Sequence, residues 1–139
     1  MVHLTDVNHL RRILRTLEEV GPDAQFMRLR AAAVEEGGYY KPARLNDEWD
    51  SGRIEIKVRG VFASGDTPER VVDEWQRGAR DMLDRHRAVS RAVATLHRRD
   101  DDTRPELIVS ACDTIIAFDT GPMIEMARRI KREIRLPAG

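Results

Sequence analysis

Between residues 67 and 98 one stripe of positions recurs as Val72, Trp75, Ala79, Met82, His86, Val89, Val93 and Leu96. The intervals alternate three and four without a break, which is the spacing of a helix with a single buried seam. Val71, Leu83 and Ala92 flank the seam and widen it toward the stripe of a core-facing helix. Thr67 can cap the first free backbone N–H groups, and Pro68 at the first helical position lacks the N–H that would go unpaired. Arg70 stands where a capping box would need Glu or Gln. The spacing therefore predicts a helix of about 30 residues, roughly 45 Å long. A compact chain of 139 residues has a radius of gyration of only about 14 Å. Such a helix must span the body or reach a partner.

Composition fits a charge-rich globular chain, with 41% hydrophobic and 35% charged residues. Aromatics are only 5%, so packing is expected to run through Leu, Ile, Val, Ala and Met. The formal net charge is zero, and attraction of the whole molecule to nucleic acid or an acidic membrane is not indicated. Cys112 is the only cysteine, which excludes an intramolecular disulfide and points to a reducing compartment. No leader-like start and no apolar run near the ~18 residues of a membrane span is visible, so a cytoplasmic protein is expected.

A first helix is expected after Thr5 or Asp6, with Val7, Leu10, Ile13, Leu14, Leu17 and Val20 on one face. Gly21-Pro22 ends it. Asp23 then caps a second helix carrying Phe26, Leu29, Ala33 and Val34, which stops at Gly37-Gly38. The pair is a helix hairpin or, less commonly, a helix-turn-helix with Arg28 and Arg30 facing DNA. Residues 39–52 are turn-rich, and Trp49 among acids is a tether to the core or an exposed contact. Residues 53–62 read as a strand, since Ile54, Ile56 and Val58 alternate with Glu55, Lys57 and Arg59. Gly60 marks a bulge or register shift.

The long helix carries Asp73–Arg77, Arg77–Asp81 and Asp81–Arg85 pairs four residues apart, the usual solvated side of a helix. Asp100-Asp101-Asp102 lacks the glycine turn and the distal glutamate of a calcium loop and reads as a solvated loop. Residues 105–118 show apolar doublets four apart, Leu107-Ile108, Ala111-Cys112 and Ile115-Ile116, which is helical spacing. Their β-branched content keeps strands at 107–111 and 114–118 as the alternative. A last helix over residues 123–136 turns Met123, Met126, Ala127, Ile130 and Ile134 inward.

Candidate chemistry is sparse. Asp119-Thr120-Gly121 matches the triplet of aspartic proteases, but 18 residues follow it, too few to build that mechanism. The triplet reads better as a cap for the last helix. His86, a polar group in the seam, can set partner number or titrate near neutrality, against the plainer role of a half-buried ring. Cys112, on a face with Ile108 and Ile116, reads as a core residue. Residues 122–139 hold five bases and two acids, while residues 100–121 hold one base and six acids. A basic helix of Arg128, Arg129, Lys131, Arg132 and Arg135 is thus the candidate nucleic-acid surface.

Trp49-Asp50-Ser51-Gly52, the strand at 54–62, and Ala63-Ser64-Gly65-Asp66-Thr67-Pro68-Glu69 leading to Trp75 form one recognisable stretch. It resembles small proteins of uncharacterised role carried by bacterial phages and prophages. The resemblance covers residues 49–83 and implies an accessory protein of a mobile element, without an activity or a functional residue to carry over.

The sequence thus predicts an α+β, mostly helical single domain, with one long helix over about 67–98 and one strand or small hairpin over about 54–62. The expected function is a non-enzymatic interaction protein, homodimeric, with no cofactor and no metal. An unpaired strand and a long apolar seam both ask for a second copy. The candidate interface is Ile54, Ile56, Val58, Trp75, Met82, His86, Val89, Val93 and Leu96. The rivals are a nucleic-acid-binding regulator using the last helix, and an enzyme gathering His86, Asp113 or Asp119.

Overall fold

A computed structural model describes residues 4–43, 52–118, 121 and 123–134. The elements run α1 (Leu4–Glu19), α2 (Pro22–Glu35), β1 (Tyr39–Lys41), β2 (Ile54–Val58), β3 (Val61–Gly65), α3 (Pro68–Arg98), α4 (Pro105–Phe118) and α5 (Met123–Glu133). The fold is α+β and mostly helical, with a three-stranded antiparallel sheet ordered β1-β2-β3. No described helix is long and apolar enough to cross a membrane.

The long seam forms one helix of 31 residues, and its start is the expected one. The backbone N–H of Arg70 donates to Thr67 Oγ1 at 3.3 Å, and that of Val71 to the Thr67 carbonyl at 3.2 Å. The α2 start differs from expectation. Gly21, not Asp23, is the cap residue, and Pro22 takes the first helical position. The Gly21 carbonyl accepts from Ala24 N and Gln25 N, so Gly21-Pro22 opens the second helix as well as closing the first.

The strand expectation resolves as a hairpin. Arg59 and Gly60 have φ of 51° and 80°, and Val58 pairs with Val61 around them. Positive φ at both central residues makes a type I′ turn, whose twist matches that of the flanking strands. Gly60 is therefore a turn residue and not a bulge, and Val61 and Phe62 lie on the return strand. β1 completes the sheet by pairing Tyr39 with Lys57 and Tyr40 with Ile56.

Contacts gather in two compact units, residues 2–83 and 84–139, and α3 contributes to both. In the first, Leu10, Leu14 and Leu17 of α1, Leu29 and Ala33 of α2, Ile54, Ile56 and Val58 of β2, Val61 and Ala63 of β3, and Val71, Val72, Trp75 and Ala79 of α3 form one core. Trp75 is fully buried, and its indole N–H donates to the Val58 carbonyl at 3.4 Å, which satisfies the polar edge of the ring. In the second, Ala92 and Leu96 of α3 pack with Ile108, Ala111, Cys112 and Ile115 of α4 and Ala127 and Ile130 of α5. Residues 105–118 are thus helix, which settles that alternative. The last helix is described to Glu133. Trp49, Asp119, Thr120 and Arg135 lie outside the described residues.

Candidate binding face of the sheet

Alternation along the strands divides the sheet into two faces. Tyr40, Ile54, Ile56, Val58, Val61 and Ala63 turn inward, onto or against the core. The opposite set is assembled by register. Tyr39 pairs with Lys57, and Lys57 with Phe62, so the three stand in one row across β1, β2 and β3. The next row is Lys41, Glu55 and Ser64. Arg53 extends the β2 side of that face, and its guanidinium donates to the Ser64 carbonyl at 3.5 Å.

Tyr39 and Phe62 are 44% and 48% exposed, and their ring centroids lie 6.5 Å apart with the planes at 45°. Two large aromatics half in water on one small sheet mark a contact surface more than a solvated face does. A groove of about 660 Å³ borders this face beside Phe62, where Arg70 and Arg77 stand among Asp73, Glu74 and Asp81. Arg70 is further drawn to Asp66 at 3.2 Å, so acids prevail on that flank. Among the described residues, the β1 and β2 side of the face carries Lys41, Lys57 and Arg53 together with Glu55.

No family model matches the chain, and neither a curated protein nor a solved structure matches it.

The residues singled out from sequence are distributed otherwise. Ile54, Ile56, Val58, Trp75, Val89 and Leu96 are buried within the chain itself, while Met82, His86 and Val93 are half-buried. The strand is paired on both sides within the chain, by β1 and β3, while the seam keeps part of Met82, His86 and Val93 at the surface. His86 Nε2 lies 3.5 Å from Ser90 Oγ. Asp113 is held by Lys131 Nζ at 2.6 Å, and Arg128 by Glu125 at 3.2 Å. Two of the four described bases of α5 are thus matched by acids nearby. Asp100 uses its carboxylate within its own turn, accepting from Asp102 N at 3.0 Å and Thr103 Oγ1 at 3.1 Å. Among the described residues, no group of three or more His, Cys, Asp or Glu side chains is placed to hold a metal. Cys112 is fully buried; burial, and then the Asp113 charge, push its thiol pKa up against the smaller opposing effect of Arg99 and Lys131.

Sequence reasoning missed a charge cluster. Glu36, just past α2, receives the Arg12 guanidinium, with His9 Nδ1 at 3.6 Å and Arg59 at 3.5 Å, and Arg59 also reaches Asp6 at 3.5 Å. The cluster ties the hairpin turn to α1 and to the end of α2. It explains why an arginine occupies a left-handed turn position that Asn or Gly usually fills. The local signal was that misfit, Arg-Gly where Asn-Gly is expected.

Proposed function

We propose that this chain is a non-enzymatic binding protein whose working surface is the outer face of its sheet. One observation carries the reading: Tyr39, Lys57 and Phe62 stand in register across all three strands with both rings half in water. Burying such rings against a partner contributes more than any single exposed ion pair. An accessory protein of a mobile element, the setting that the resemblance of residues 49–83 implies, fits a chain that works by binding. The basic helix α5 is the weaker surface, because Arg128 and Lys131 already have acidic neighbours.

The test compares capture of host material by the intact protein, a Tyr39→Ser/Phe62→Ser variant and an Arg129→Gln/Arg132→Gln variant, each with an unchanged melting temperature. Loss of the captured material with the first variant and retention with the second is expected. The reverse pattern contradicts the proposal.

A further inference from the structure

We propose that His9 is a proton-operated selector of the partner of Glu36. With a neutral ring, Arg12 holds the carboxylate; with a protonated ring, His9 takes it and Arg12 is released. The device lies in the charge cluster behind the hairpin turn and does not depend on what the sheet face binds.

Geometry fixes the starting state. The Arg12 guanidinium stands 2.8 Å from His9 Nδ1. A guanidinium has donors only, so Nδ1 is the acceptor and the proton of the neutral ring sits on Nε2. Glu36 Oε1 lies 3.6 Å from the same Nδ1, just outside hydrogen-bond range. One ring nitrogen therefore faces both a donor and a carboxylate, and its own proton decides which of the two it engages.

Imidazole changes charge between about pH 5 and 8. A proton on Nδ1 removes the acceptor and sets two positive N–H groups against each other. The imidazolium then has Glu36 in ion-pair range. The carboxylate also has acceptor capacity to spare. Arg12 and Arg59 crowd onto Oε1, while Oε2 is buried without a hydrogen-bond partner among the described residues.

The rest of the cluster decides which arginine yields. Asp6 and Arg12 of α1, Glu36 after α2 and Arg59 of the turn are its described charged members. Arg59 is half-buried and reaches Asp6 as well as Glu36, each at 3.5 Å, so it keeps a carboxylate in either state. Arg12 is exposed, and among the described residues its side chain meets only His9 and Glu36. Arg12 is the one released, and Arg59 stays in its left-handed turn. Arg12 also lines a groove of about 310 Å³ between α1 and α2, beside Arg28 and Glu35. Proton uptake at His9 thus moves a cation from the cluster to that groove.

The experiment is NMR on the isotopically labelled full chain between about pH 8 and pH 5. Long-range correlations on the imidazole should show the His9 proton on Nε2 at the alkaline end. On acidification the Arg12 side-chain Nε–H signal should shift with the same midpoint as the His9 ring, while that of Arg59 stays in place. In His9→Gln, which cannot take up the proton, the Arg12 shift should be lost. The first two readouts need no variant. A neutral His9 protonated on Nδ1, an Arg12 signal that does not follow the ring, or an Arg59 signal that moves in its place overturns the proposal. So does an Arg12 shift that persists in His9→Gln.

Discussion

Gly38 lies so close to the hairpin that an added Cβ would stand 1.8 Å from the Lys57 carbonyl oxygen. The obstacle is backbone, which cannot swing aside as a long side chain does. Gly38→Ala should therefore separate β2 from the end of α2 and cost more than about 2 kcal/mol in urea unfolding. Gly37 is the control: its φ is +82° and the space around it is open, so Gly37→Ala should cost only about 1 kcal/mol. Equal losses would mean that the close approach is misplaced. Cys112 gives a second test at this scale. A raised pKa leaves less thiolate at neutral pH, and burial keeps reagents out. Its alkylation in the native protein should be about a hundred-fold or more slower than in denaturant, limited by opening of the second unit. Fast labelling of the native protein contradicts this packing.

At the scale of elements, the long helix was the most legible part of the chain. A three-four seam depends on local spacing alone, and Val72, Trp75, Ala79, Val89 and Leu96 are buried where it puts them. Ala79→Asp or Val89→Asp should cost about 3 kcal/mol or more by burying an unpaired charge, while Arg87→Gln and Arg91→Gln, on the exposed side, should stay within about 0.5 kcal/mol. Similar melting temperatures for all four variants would contradict the seam. The sheet was less legible. Its turn carries Arg-Gly and not the usual Asn-Gly, because Arg59 adopts positive φ in a cluster with Glu36 and Asp6, residues remote in the chain. Glu36 is the hub, with its side chain only 15% exposed. Glu36→Gln should destabilise by about 1–3 kcal/mol, since it leaves neighbouring cations without their shared carboxylate. Arg12 is 60% exposed, so Arg12→Ala should cost less than about 1 kcal/mol. The opposite ranking by thermal unfolding would remove Glu36 as hub.

At the scale of the whole molecule, zero net charge conceals an uneven distribution, and the sequence placed the basic surface on the last helix. The tertiary structure sets Asp113 beside Lys131 and Glu125 beside Arg128, so part of that charge is matched within the chain. Meanwhile Tyr39, Lys57 and Phe62, separated by 18 and five positions in sequence, are joined only by strand register. No local pattern could reveal that row, because β1 has three residues and forms only by pairing with β2. The candidate site was therefore illegible where the helices were not.

The most direct test of the account is an amide NMR map of the full chain, recorded free and with the host material that it captures. Shifts should concentrate at Tyr39, Lys41, Glu55, Lys57 and Phe62, with α4 and α5 unchanged. Shifts confined to residues 123–133, or none in the presence of the captured material, would contradict it.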